Sequence, residues 1–323
     1  METPASADGD GPASLRISFL GPAGTFTEEA LLTQPDYASA ELVPAATLAD
    51  VIDEVKGGGA SLGFLPIENA IEGTVNATLD SLVFDADLLI QREVVLDVHL
   101  NLLAHPGAAI GSLRRVLSFP VATAQCRGFL SDNLRGVEVV ATNSTAEAAR
   151  ILGSKHDAHS AAIAPRLAAT LYGLDVMAPA IEDHPDNKTR FVAVAREGVP
   201  APTGHDKTSI VCFQSDDRPG NLHGILGQFA ARSINLTKLE SRPTKRGLGD
   251  YCFIIDLEGH ISDELVAACL RDLHAELGGG VKFLGSYPAA GDHGPARRAE
   301  AAAAWKAAES WMSTIRSQVR AQE

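Results

Sequence analysis

Basic charge is scarce in this sequence: 27 lysines and arginines stand against 41 aspartates and glutamates, a formal net charge of −14. A surface of that sign repels nucleic acid and anionic membranes, so neither is expected as a partner, and any anionic ligand must be held by local donors. Long apolar runs are missing too. No stretch reaches the roughly 18 residues of a membrane span, and the opening METPASADGDGPAS has neither the cationic nor the apolar part of a secretory leader. A cytoplasmic location is the expectation, under which the sequons at Asn76, Asn143, Asn187 and Asn235 carry no sugar. Cysteine is sparse: Cys126, Cys212, Cys252 and Cys269 stand apart in apolar segments without Cys-x-x-Cys or Cys/His spacing. They read as buried reduced thiols, with no metal centre. His156 and His159 make an isolated His-x-x-His in a polar loop and read as solvated.

What is present is an ordinary globular composition, 45% hydrophobic and 21% charged over 323 residues, enough for two or three domains with cores of their own. Residues 1–14 read as a disordered N-terminus. From 15 to 197 apolar runs at 15–20, 41–43, 61–65, 94–103, 115–119, 137–140, 160–164, 175–177 and 191–195 alternate with helical patterns near 25–34, 47–56, 74–83, 120–134, 144–153 and 165–172. That alternation is the signature of an α/β domain with a mainly parallel sheet. The long crossing LLIQREVVLDVHLNLLAH divides it into two lobes, and the cleft between lobes is the default ligand site. EGVPAPTGHDK concentrates proline, glycine and charge, which places a linker at 198–206. Residues 207–286 follow the order β-α-β-β-α-β, the ferredoxin-like arrangement. The remainder, 287–323, is an alanine-rich helical tail. Its Trp305, Ala308, Met312, Ile315 and Val319 share one helical stripe, expected to dock on the body or on a neighbouring subunit.

Residues able to do chemistry collect at the strand ends. In GPAGTFTEEA a turn at Gly21 and Gly24 leads to Thr25, three residues before Glu28, a capping box that opens a helix. Free N–H groups at such a start bind anions, and no Lys-Ser/Thr follows to make a Walker A loop. ATNSTAEAA repeats the device with Ser144 and Glu147. Two hydroxyl-rich turns, one from each lobe and facing each other, suit a small dianion; the plain alternative is a pair of helix caps. PIENAIEGTVNATLD puts Glu68, Asn69, Gly73, Thr74 and Asn76 after an apolar run, beyond a strand's carboxyl end, where open α/β sheets bind ligands. The alternative is a loop in which Glu68 and Asn69 cap neighbouring backbone. In NKTRFVAV a Thr-Arg pair enters an apolar strand. Arg190 there can fork onto a carboxylate, or it can make a surface ion pair.

In this order and at these separations the four stretches resemble the prephenate dehydratases, and LTKLESRP within the β-α-β-β-α-β unit resembles the ACT domain joined to them. The resemblance runs from residue 15 to about 286. It implies a two-lobed catalytic domain of periplasmic-binding-protein type and a cofactor-free conversion of prephenate to phenylpyruvate, CO2 and water in L-phenylalanine biosynthesis. It also implies feedback control by L-phenylalanine, in a homodimer or homotetramer. The family's Thr-Arg-Phe motif falls on Thr189, Arg190 and Phe191, with the threonine as the catalytic group, and Glu68 is a candidate proton donor if burial raises its pKa. Thr25, Phe26, Thr27, Asn69, Thr74, Asn143, Ser144 and Thr145 are the expected substrate contacts. The Glu-Ser-Arg-Pro regulatory motif falls on Glu240, Ser241, Arg242 and Pro243. The second regulatory motif falls on Gly220, Asn221 and Leu222, where Asn221 and the following His223 depart from the family's pattern and put the strength of phenylalanine binding in question. No helical segment precedes Leu15, so a fused chorismate mutase domain is not expected. Arogenate, with an amino group in place of the keto group, is the nearest competing substrate. A non-catalytic two-lobed anion sensor is the rival from another class.

Overall fold

The structure is a computed structural model that describes residues 15–214, 218–245, 247, 250–291 and 295–318; the expected disorder over 1–14 lies outside the described residues. The chain forms two compact units, Met1–Thr78 with Val95–Phe191, and Leu79–Val94 with Val192–Glu323.

The first unit holds two lobes. Strands β1 (Arg16–Leu20), β2 (Glu41–Ala45) and β3 (Leu62–Asn69) run parallel. Parallel neighbours need a crossover, which α1 (Phe26–Leu32), α2 (Pro35–Ala38) and α3 (Leu48–Lys56) supply. The starts of the longer two are written locally: the Glu28 N–H donates to Thr25 Oγ1 at 3.3 Å, and Thr47 and Asp50 complete a capping box. The helix expected over 74–83 is instead three short pieces. β4 (Gly73–Thr74) folds back on β3, then come α4 (Asn76–Asp80) and a π-helical turn, Ser81–Asp85. The reversal needs a left-handed residue, and Gly73 stands there with φ +80°. The run expected over 94–103 is two strands, β5 (Leu89–Asp97) and β6 (Asn101–Ala104), parted by the crossing between lobes.

The second lobe adds β7 (Arg115–Ser118), β8 (Glu138–Ala141), β9 (Ser160–Ala164) and β10 (Asp175–Ala178), in the order β10-β6-β9-β7-β8. β7 is parallel to β8 and β9, whereas β6 is antiparallel to both β9 and β10. The sheet is therefore mixed rather than mainly parallel, because β6 is reached straight from β5 and not through a helix. Both faces are covered: Leu102, Ala161 and Ile163 pack on one side and Leu103, Ala162 and Ala164 on the other, which is why β9 reads as an unbroken apolar run. The helix expected over 120–134 breaks at buried Cys126, whose φ and ψ are −117° and 21°, into α5 (Pro120–Gln125) and α6 (Arg127–Asn133). α7 (Thr145–Ser154) and α8 (Arg166–Tyr172) complete the lobe. The chain then re-enters the first sheet as β11 (Lys188–Ala195), giving the order β2-β1-β3-β11-β5. Phe191 stacks on Phe64 at 5.4 Å, with 9° between the rings, so the end of the Thr-Arg-Phe stretch is pinned in the first lobe's core. Two sheets joined by extended crossings are the two-lobed, periplasmic-binding-protein-like layout.

The second unit is the ferredoxin-like one. β12 (Asp206–Phe213), α9 (Asn221–Ala230), β13 (Leu236–Pro243), β14 (Tyr251–Glu258), α10 (Glu264–Glu276) and β15 (Val281–Pro288) form an antiparallel sheet in the order β13-β14-β12-β15. One sheet face packs on the two helices through Ile210, Ile225, Phe229, Ile255 and Leu273. The segment Leu79–Val94 groups with this sheet, while its strand β5 also belongs to the first sheet. Phe84 meets Phe213 edge-on, Lys207 bonds Glu93 at 2.9 Å, and Lys282 donates to the carbonyls of Val83 and Ala86. Gly285 makes this approach possible, since a Cβ there would lie 2.5 Å from the Ile90 carbonyl oxygen. The tail forms α11 (Pro295–Arg316), whose Lys306, Glu309, Ser310 and Ser313 line an open groove with Glu264, Ala268 and Arg271 of α10. Of the expected apolar stripe, Ile315 is 40% exposed, and Val319 lies outside the described residues. Among the described residues no helix is long and apolar enough to cross a membrane.

Candidate active site

The polar strand ends of β3 and β11 meet in the first unit. Asn69 organises them. Its Oδ1 accepts from the N–H groups of Ile71 and Glu72, both at 2.9 Å, which fixes which way the amide points. Its Nδ2 must then face β11 and the residue before it, donating to Thr189 Oγ1 at 2.9 Å and to Asn187 Oδ1 at 2.9 Å. Thr189 therefore uses its oxygen as an acceptor, and its own proton is left to donate elsewhere. Beside it, Arg190 pairs with Glu68 at 3.5 Å, the arginine side chain 12% exposed and the glutamate 39%. Glu68 is half-buried and placed to orient the guanidinium. Thr74 stands directly opposite Glu68 in the β3–β4 hairpin.

Two further amides extend this cluster into the second lobe. Asn187 Nδ2 donates to Gln125 Oε1 at 3.0 Å, and Gln125 Nε2 donates to Glu72 Oε1 at 3.0 Å. The sequence alone marks none of Glu72, Gln125 and Asn187 as a site residue. Gln125 reads as a polar position in a helix and Asn187 as part of a charged loop, and their pairing across 62 residues leaves no local mark.

The helix starts are differently employed. Thr25 and Thr27 are buried, and the Thr25 hydroxyl serves the cap and the Leu20 carbonyl. The Gly24 N–H donates to Glu28 Oε2 at 2.5 Å. Phe26 packs against the core of the second lobe, and Tyr172 donates its hydroxyl to the Ala23 carbonyl at 2.6 Å, so this turn joins the lobes. At α7 the Ser144 hydroxyl accepts from Glu147 N–H, and Asn143 N–H donates to Glu147 Oε2. Asn143, Ser144 and Thr145 make no hydrogen bond with the Glu68–Thr189 cluster. Near the lobe contact, burial holds the Glu29 carboxyl above its ordinary value against the opposing charges of His99 and Arg166. The residues expected to be regulatory divide by strand alternation. Glu240 and Arg242 are half-buried, and Arg242 pairs with Asp80 and with Glu240. Leu239, Ser241 and Pro243 are exposed and stand opposite Ile255, Phe253 and Tyr251, of which Ile255 and Phe253 belong to the helix-covered face. Gly220 caps α9 in a left-handed conformation, φ +91°, just before Asn221 and Leu222.

A two-lobed α/β domain with hydroxyl, amide and guanidinium groups at its strand ends, followed by a ferredoxin-like unit, defines the class as an enzyme with an attached regulatory domain. The family model for prephenate dehydratase matches residues 17–199 and that for the ACT domain residues 208–275. The chain belongs to the prephenate dehydratase family. It is 42% identical over 289 residues to the prephenate dehydratase of Mycobacterium leprae strain Br4923, an alignment covering 87% of this chain and 88% of that one. The structure of the Arthrobacter aurescens prephenate dehydratase in complex with L-Phe superposes with a TM-score of 0.83 at 39% identity, covering 93% and 99% of the two chains. A chain described as a novel type of quorum-quenching acylase superposes at 0.75 with 31% identity, over 85% and 98%.

Proposed function

We propose that this protein converts prephenate to phenylpyruvate, CO2 and water without a cofactor, on the route to L-phenylalanine, and that L-phenylalanine restrains it through the ACT domain. The observation that carries the reading is the Thr189 hydroxyl, whose oxygen is occupied by Asn69 while its proton is free. Prephenate loses a ring carboxylate as CO2 and a ring hydroxyl as water, and aromatisation drives the loss, so the protein need only hold and orient. The C–CO2 bond breaks with its electron pair entering the ring as the C–O bond breaks, and Thr189 hydrogen-bonds the departing hydroxyl and relays to it a proton taken up from solvent, which makes it water. Arg190 forks onto a substrate carboxylate, with Glu68 keeping the guanidinium in place. The ring carboxylate leaves most readily where it is poorly solvated. In regulation, the effector sits between ferredoxin-like units of two subunits, at the Gly220–Leu222 turn of one and the exposed side of β13 of the other. A homodimer or homotetramer in the cytoplasm is the working form. Turnover of prephenate, measured beside arogenate with the purified chain, tests the reading: phenylpyruvate must appear from prephenate at the higher kcat/KM, and the absence of turnover with both substrates refutes it.

A further inference from the structure

Asn187 is 1% exposed, and a buried amide is costly unless its polar atoms are paired. Both are. Its Oδ1 takes a hydrogen bond from Asn69 and its Nδ2 gives one to Gln125, which stands at the end of α5 in the second lobe and is itself bonded to Glu72 in the first. The direction of every bond is set, because the Ile71 and Glu72 N–H groups fix the Asn69 amide. Main-chain bonds hold the same point: Val98 N–H donates to the Asn187 carbonyl, and Asp183 N–H to that of Gln125. The residue therefore lies where the crossings between lobes meet the catalytic strand, two positions before Thr189.

We propose that Asn187 is a positioning residue for Thr189, a buried amide that, through Asn69, holds the threonine in the rotamer and bonding state the reaction uses and ties that state to Gln125 of the opposite lobe. Without it, Asn69 Nδ2 loses one of its two shortest acceptors and the Gln125 carbonyl loses its donor. The Asn69 Oδ1 stays anchored by the Ile71 and Glu72 N–H groups, but its Nδ2 keeps only Thr189 and the longer 3.3 Å bond to the Lys188 carbonyl, so the amide can tilt about that anchor and holds the Thr189 oxygen less closely. The inference rests on the proposed dehydratase reading.

The test uses the full-length chain with prephenate. Asn187→Ala is expected to lower kcat about 10- to 100-fold while KM stays within about threefold, since a misplaced group weakens the transition state more than binding. In a Thr189→Val background the same change should cost no more than about twofold, because residues acting as one unit are not additive. Asn187→Asp guards against a variant that fails to fold. Its carboxylate cannot donate to Gln125, but its protonated form restores both bonds, so its kcat relative to wild type should rise as pH falls from about 8 to about 6. A residue that only supports the fold gives a pH-independent ratio. Equal losses in both backgrounds, or a flat ratio in folded Asn187→Asp, overturn the proposal. If wild type fails on prephenate, the proposed function falls and this inference with it, whereas an active wild type with an unaffected Asn187→Ala refutes the inference alone.

Discussion

At the scale of single residues the site turns on which atom of Thr189 is spent. Its oxygen accepts from Asn69, so the O–H is the useful half, and a substitution that keeps the hydroxyl should behave unlike one that keeps only the shape. Thr189→Val is expected to lower kcat at least about 100-fold with the fold intact, while Thr189→Ser retains most of it; steady-state turnover checks both, and near-wild-type rates in the valine variant remove Thr189 from the chemistry. Glu29 offers a test through pH. Its carboxyl is raised by burial, so ionising it costs the folded state: that stability is complete below the unfolded value of about 4.3 and lost as pH rises through the folded value. Glu29→Gln should therefore melt above wild type near neutral pH and match it in acid. Superimposable melting curves at every pH would show that Glu29 ionises freely in the fold. The polar groups at strand ends, Glu68, Asn69, Thr189 and Arg190, were legible in the sequence because charge beside an apolar run has no place in a core. Asn187 and Gln125 were not, since buried amides owe their value to partners brought together only by the fold.

At the scale of elements, legibility followed the range of the forces. Capped helices such as α1, α3 and α7 announce themselves through Thr25, Thr47 and Ser144, whose hydrogen bonds span three residues. The breaks at Cys126 and after Asp97 are imposed by packing and by the crossing between lobes, so the sequence showed one helix and one strand where there are two of each. The hardest element to read was the segment after α4, which is held by charges from far along the chain. Asp80 receives Arg242 and Lys245; burial opposes its ionisation, but the hydrogen bonds from the two cations hold it below the usual carboxylate range. Its contribution is then present above the unfolded value of about 3.9 and is lost as pH falls through the lower folded one. Asp80→Asn should cost about 1 kcal/mol, as exposed charge networks do, and so lower Tm by about 2–4 °C at neutral pH, with the difference closing in strong acid. Calorimetric melts across pH decide it, and a neutral-pH Tm equal to wild type would mean that the cations do not anchor this segment.

At the scale of the whole molecule, regulation needs two separable events, binding of an effector and a shift between states that bind it differently. The alternation of β13 assigns them to different side chains. Ser241 is exposed and stands opposite Phe253 of the helix-covered face, and Gly220 leaves open space where a Cβ would stand; under the proposed control these are the positions that would meet the effector. Arg242 is turned to Asp80, the last residue of the helix that begins at Asn76, and under the proposed control it is the residue to transmit. Under the proposed phenylalanine control, Ser241→Tyr should abolish calorimetric binding of L-phenylalanine while leaving uninhibited turnover intact. Arg242→Ala should keep binding within about threefold, a change of less than 1 kcal/mol, yet blunt the inhibition of prephenate turnover. The two readouts must come apart in that variant. Loss of binding in Arg242→Ala would place the guanidinium in the effector site after all, and full inhibition in it would mean that the signal reaches the catalytic strand ends by a route other than Asp80.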